Sequence, residues 1–183
     1  MDVYLVRHPQ PVDVDGLCYG RLDVAVTEQA IATAAEAVRA QIPGETLGCA
    51  RIYCSPSLRC LGLAERIASP REPMPAEDLM EMNFAQWQGL AWDDVPRQQM
   101  DAWAKDVWGY RPGGGESAEM VAARWQRWLS QLPRISGGSV VAVTHAGVIR
   151  VALACSGRLD AAAALEAAIP FGSVHHLSII CGV

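Results

Sequence analysis

SVVAVTHAGVIRVALAC, residues 139–155, changes periodicity once, at its middle, with no turn residues in between. Residues 139–144 are apolar almost without interruption and rich in valine. A strand covered by helices on both faces has this composition, because both of its side-chain directions meet apolar neighbours. Residues 146–155 follow directly and read as a helix. A buried strand that feeds straight into a helix is the repeating module of a layered α/β domain with a parallel sheet.

Outward from this unit, comparable strand-like runs lie at 2–7 (DVYLVR), 51–55 (RIYCS) and 174–180 (VHHLSII). The last alternates more clearly and belongs nearer an edge. Thr27 is placed to cap a helix that runs to about Gln41, with Pro43 and Gly44 punctuating its end. Ser55 reads as a helix N-cap with Pro56 in the first helical position, and Leu58, Leu61, Ala64 and Ile67 then fall on one side. Residues 116–132 put Met120, Val121, Trp125, Trp128, Leu129 and Leu132 on one broad face. The expected architecture is a three-layer α/β/α sandwich around a mostly parallel central sheet. Residues 70–115 depart from it, with prolines at 70, 73, 75, 96 and 112 and tryptophans at 87, 92, 103 and 108. They read as an excursion of short helices over the sheet. No repeat or linker divides the chain, so residues 1–183 are expected to form one domain.

Composition narrows the function. Fifteen basic and 20 acidic residues give a net charge of -5, without the basic face that nucleic-acid binding requires. MDVYLVRH lacks the pattern of a secretory signal, and no apolar run reaches the roughly 20 residues of a membrane span. A cytoplasmic protein with no membrane partner is expected. Cysteines 18, 49, 54, 60, 155 and 181 form no CxxC pairs, so they read as buried thiols rather than zinc ligands or a disulfide framework.

In open α/β folds ligands sit beyond the carboxyl ends of the strands. Arg7 and His8 end the first strand here, Ser55 ends the second with Arg59 soon after, and Thr144 and His145 end the third. Singly, each has an ordinary reading: a solvated arginine on a helix, a histidine capping a strand. Together, two arginines and two histidines at equivalent ends suit a phosphoryl group, whose oxygens accept from guanidinium forks and helix N-termini. One imidazole can attack phosphorus while the other steadies developing charge, and nearby cations keep the attacking ring neutral. Gly113-Gly114-Gly115 lacks the Lys-Ser/Thr that would make it a P-loop.

LVRH at 5–8, SPSLRC at 55–60, GGES at 114–117 and VTHAGVIR at 143–150 together resemble the histidine phosphatase superfamily, also called phosphoglycerate mutase-like. GLCYGRLD at 16–23, followed by Val26 and Thr27, is most similar to its alpha-ribazole phosphatase branch, which serves cobalamin biosynthesis. The resemblance implies a phosphoglycerate mutase-like fold and a phosphomonoesterase working through phosphohistidine, without metal or other cofactor. His8 is then the nucleophile, His145 the second histidine of the pocket, and Glu81 the acid and base. Arg7 and Arg59 bind phosphate, and Arg21 is a further candidate for phosphate contact or for support of the pocket, or else a partner of Asp23. Ser55, Glu116, Ser117 and Thr144 support the pocket from behind. The implied substrate is alpha-ribazole 5′-phosphate or another small phosphorylated metabolite. The alternatives are a phosphoglycerate mutase, a broad-specificity sugar-phosphate phosphatase and a non-catalytic phosphate binder. The short stretch after residue 150 favours hydrolysis over mutase chemistry, and the tryptophans offer contacts for a homodimer. Two departures stand out. Pro9 replaces the usual glycine after Arg-His, and Gln88 replaces the glutamate of Trp-Glu-Gly. His175 and His176 alternate to opposite faces and are expected to be structural.

Overall fold

A computed structural model describes residues 1–133 and 138–179. In chain order the elements are β1 (Asp2–Arg7), α1 (Glu28–Gln41), α2 (Gly44–Cys49), β2 (Arg51–Cys54), α3 (Leu58–Ala68), β3 (Met74–Pro75), α4 (Arg97–Lys105), α5 (Ala118–Gln131), β4 (Ser139–Thr144), α6 (Ala146–Cys155), α7 (Ala161–Glu166) and β5 (Val174–Ser178). The sheet runs β3-β2-β4-β1-β5, parallel except for β5, which pairs antiparallel with β1.

β4 therefore lies in the middle, and its alternation decides which helices cover which face. Val140 and Ala142 pack with Val3 and Leu5 against Val121, Trp125 and Trp128 of α5 and Val148 and Ile149 of α6. Val141 and Val143 turn the other way, onto Ala35 and Val38 of α1 and Leu63 and Ala64 of α3. These are the two outer layers of the α/β/α sandwich. No helix among the described residues is long and apolar enough to cross a membrane.

Several local expectations change. α3 begins at Leu58, with Ser57 rather than Ser55 in the N-cap position. The Leu58 N–H is taken by the Asp23 carboxylate at 3.0 Å, so a residue distant in sequence caps this helix. Pro43 ends α1 but also opens the short helix α2. The two-residue edge strand β3 and the helix α7 carry periodicities too short to read from sequence. Met120 is 44% exposed rather than on the buried face of α5. Cys18, Cys54 and Cys60 are buried as expected, whereas Cys49 and Cys155 are exposed; Cys181 lies outside the described residues. The two histidines of β5 stay out of any common site. His176 pairs with Asp2 at 2.8 Å and stacks on Tyr4, and His175 bonds Ser173 at 2.9 Å.

Residues 76–115 are held over the carboxyl edge by close backbone contact as much as by packing. A Cβ on Gly115 would stand 1.8 Å from the Asn83 carbonyl oxygen, and one on Gly113 (φ 61) would stand 2.1 Å from that of Phe84. The glycine run is thus a fitted contact rather than a flexible turn. Gly114 (φ 81) has open space around its Cβ position. Gly114→Ala should cost only the left-handed backbone penalty, about 1 kcal/mol, whereas Gly115→Ala must push two backbones apart and should cost clearly more, roughly 2–4 kcal/mol. Urea unfolding of both variants checks the order.

Candidate active site

The sheet register assembles the site. Arg7 is the Cα partner of Thr144 and Cys54 that of Val143. The ladders continue one bond further, from the His8 N–H to the Thr144 carbonyl (3.0 Å) and from the Ser55 N–H to the Val143 carbonyl (2.9 Å). His8, His145 and Ser55 are thereby fixed side by side just past three strand ends. The two imidazoles lie 5.1 Å apart between ring centroids, inclined by 60°. Both are buried.

Pro9 has a definite part in this arrangement. Its carbonyl lies 2.7 Å from His8 Nδ1. A carbonyl can only accept, so Nδ1 carries the proton and Nε2 keeps its lone pair. Proline lacks an N–H but retains the carbonyl that this bond uses. Burial, followed by the Arg59 charge and more weakly that of Arg7, lowers the pKa of His8 to about 3 despite that bond. His145 is also held well below the ordinary histidine range, first by burial and then by His8 and Arg59. Its Nε2 lies 2.8 Å from the Ser55 hydroxyl. Ser55, expected to cap a helix, is instead spent on this ring.

Arg59 is fully buried, and its two terminal nitrogens donate to the Leu22 (2.7 Å) and Gly20 (2.6 Å) carbonyls. It thus fastens the 16–23 loop while its charge remains in the pocket. Arg7 donates to the Ile169 carbonyl and lies over the Phe171 ring, 3.7 Å from its centroid. Among the described residues, four buried side-chain polar atoms have no hydrogen-bond partner. Three belong to this cluster: Arg7 Nε, Arg59 Nε and His145 Nδ1. Leaving such groups unpaired is costly, and their concentration here suits an anion with several acceptor oxygens.

Glu81 bridges to α6. One of its carboxylate oxygens accepts from the Met82 N–H (2.8 Å), the other from the Gly147 N–H (3.3 Å). A Cβ at 147 would come within 2.4 Å of the carboxylate, so glycine there lets the Glu81 side chain keep this position. Arg21 does not pair with Asp23. Its Nε donates to the Glu81 carbonyl and a terminal nitrogen to Glu116, both at 2.8 Å. Ser117 caps α5 by accepting from the Met120 N–H (3.3 Å), and the Thr144 hydroxyl donates to the Leu79 carbonyl (2.7 Å).

A cavity of about 600 Å³ adjoins the cluster, lined by Arg7, Tyr19, Glu81, Gly147 and Arg150 and by the apolar set Phe84, Met100, Trp92 and Trp103. His8, Arg59 and His145 are not among its lining residues, but Arg7 and Ala146, the chain neighbours of the two histidines, are. Two of the tryptophans therefore wall the cavity, while Trp87 is 2% exposed and belongs to the packing beneath. Sequence reasoning passed over Arg150 and over Arg124, which is buried on the apolar face of α5. The spacing Val121, Arg124, Trp125, Trp128 was the available signal: a charge set within an apolar helical stripe. No group of three or more His, Cys, Asp or Glu side chains among the described residues could hold a metal ion.

Fold and site together set two histidines and two arginines beside one another at the carboxyl ends of parallel strands, a layout suited to holding a phosphoryl group. The chain belongs to the histidine phosphatase superfamily (branch 1), whose family model matches residues 3–181. It is 28% identical over 162 residues to a metal-independent phosphoserine phosphatase of Arabidopsis thaliana, covering 81% of this chain and 66% of the relative, so it spans about two thirds of that protein's length. A phosphoglycerate mutase from Thermus thermophilus superposes with a TM-score of 0.74 at 25% identity, covering 97% of this chain and 92% of the other. An alpha-ribazole phosphatase from Shigella flexneri shares the fold with a TM-score of 0.82 at 21% identity, over 99% and 92% of the two chains.

The depressed histidines carry a stability consequence. Below pH 6.5 the unfolded chain protonates both rings while the folded chain does not, so stability is present above that pH and is lost as pH falls toward 3. Each ring should contribute roughly 1 kcal/mol of loss per pH unit in that window. In phosphate-free buffer, His8→Asn should therefore lose less stability than the parent between pH 7 and 5, by about 2 kcal/mol in urea unfolding.

Proposed function

We propose that this protein is a phosphomonoesterase in which His8 carries the phosphoryl group, with residues 1–183 acting as one catalytic unit. The observation that carries the reading is the His8 Nδ1 bond to the Pro9 carbonyl, which leaves a neutral ring with its Nε2 lone pair free inside a cationic pocket. In the first step Nε2 attacks phosphorus, the bond to the leaving oxygen breaks, and protonated Glu81 gives that oxygen its proton. In the second step Glu81 carboxylate takes a proton from water as the water attacks phosphorus. The N–P bond breaks, its electron pair returns to Nε2, and inorganic phosphate departs. Arg7, Arg59 and the Nδ1–H of His145 donate to the phosphoryl oxygens, a tautomer favoured when the Ser55 hydroxyl donates to Nε2. These donors stand where a metal ion would otherwise neutralise charge.

Arg21 belongs with the residues that hold Glu81, since two of its nitrogens are already engaged there. The leaving group occupies the cavity bounded by Phe84, Trp92 and Trp103. Its aromatic wall suits an alcohol that carries a flat, apolar ring system, as the riboside alpha-ribazole does, better than a compact polar one, which supports alpha-ribazole 5′-phosphate among small phosphorylated metabolites.

The test is a reaction with 32P-labelled substrate, quenched in alkaline denaturant where phosphohistidine survives. The parent should carry label, while His8→Asn should carry none and lose about 1000-fold or more in kcat. EDTA should leave the rate unchanged. Turnover without any label on protein, or an absolute need for a divalent ion, would overturn the proposal. In a substrate panel, alpha-ribazole 5′-phosphate should surpass 3-phosphoglycerate, phosphoserine and sugar phosphates in kcat/KM, and release of inorganic phosphate rather than isomerisation should accompany turnover.

A further inference from the structure

Glu81 sits in a stretch with little regular structure: after the short 3-10 turn at Glu77–Leu79, no helix or strand includes residues 80–84. Yet the proposed chemistry needs its carboxyl placed to within a fraction of an ångström. The stretch is held by main-chain contacts arriving from elsewhere. Arg124 donates to the Asp78 carbonyl at 2.6 Å, Arg21 to the Glu81 carbonyl at 2.8 Å, and the Asn83 N–H to the Glu116 carboxylate at 2.9 Å. Glu116 joins these contacts into one unit, since the same carboxylate also takes Arg21 at 2.8 Å and Arg124 at 3.2 and 3.3 Å. Arg124 is 5% exposed.

We propose that Arg124, acting through Glu116 and Arg21, is a positioning residue that sets where the Glu81 carboxyl stands over the phosphoryl site. The proposal rests on Glu81 being the acid of the first step. A buried guanidinium on the apolar stripe of α5 is costly as packing alone, and an isolated helix residue has no need of it. As one corner of an ionic hub it ties a rigid helix to the two ends of the Glu81 segment. Pairing with one carboxylate and two carbonyls leaves the hub little freedom, because a planar guanidinium fixes direction as well as distance. Glu116 cannot shift to favour one arginine without loosening the other.

The leaving group provides a readout that a merely structural role would not move. Before the first irreversible step, an alkyl phosphate needs a proton from Glu81, whereas 2,4-dinitrophenyl phosphate expels a stable phenolate and does not. Arg124→Met should lower kcat/KM for the alkyl ester alpha-ribazole 5′-phosphate about tenfold or more while leaving that for 2,4-dinitrophenyl phosphate within about twofold. Arg124→Lys should recover part of the loss. Glu81→Gln provides the reference pattern: if it shows no such selectivity, the acid assignment itself is wrong. If Glu81→Gln is selective and Arg124→Met lowers both substrates equally, or neither, the positioning role is overturned while the acid assignment stands. Should Arg124→Met fail to fold, Arg21→Met carries the same expectation, and an equal loss with both esters would assign Arg21 to phosphate binding instead.

Discussion

The parallel pairing of β1 with β4 is the constraint on which the site depends. A slip of one residue would turn every side chain of β1 to the opposite face and carry Arg7 and His8 away from His145. The slip is opposed on both faces at once, because Val3 and Leu5 belong to one apolar layer while Val6 belongs to the other. Core packing and active-site geometry are thus set by the same register. β2 joins the arrangement on the far side of β4, which brings Ser55 to the His145 ring.

Electrostatics then works on a prepared position. Four cationic or potentially cationic groups, Arg7, Arg59, His8 and His145, would repel one another in this space if all were charged. Burial disfavours charge on the imidazoles first, and because the arginines cannot give up their protons, the imidazoles give up theirs. The consequence suits the proposed chemistry: His8 stays neutral, with Nε2 unprotonated, without a neighbouring carboxylate. Pro9 decides which nitrogen of His8 remains free. Buried polar atoms are rarely left unpaired, and three of the four found among the described residues are gathered at the place where an anion would satisfy them.

The central strands and main helices were legible because their periodicities are local and long enough to be unambiguous. Residues 139–144 and 118–131 needed no information from elsewhere in the chain. Ser55 shows where that reasoning stops. Its sequence context, Ser-Pro before an amphipathic run, is a good helix start, but a histidine 90 positions away claims the hydroxyl and Asp23 caps the helix instead. Glu81 was found by resemblance alone, since no regular element positions it. The contacts that fix it come from positions 21, 116, 124, 144 and 147, and no local pattern announces a set so dispersed. Arg21 illustrates the same difficulty, for its neighbour in sequence, Asp23, is not its partner in space.

The grip on the Glu81 segment has an evolutionary side. Arg124, Arg21, Glu116 and Thr144 hold it by carbonyls and one N–H, atoms that every amino acid brings except where proline removes the donor. Leu79 and Met82 still anchor the segment in the core, but these hydrogen bonds ask nothing of the side chains along residues 78–83. On the proposed reading, the aromatic wall that Phe84, Trp92 and Trp103 give the cavity can be rewritten to admit other alcohols while the histidine and arginine cluster remains intact. A scaffold of this kind separates the inheritance of a reaction from the choice of what undergoes it.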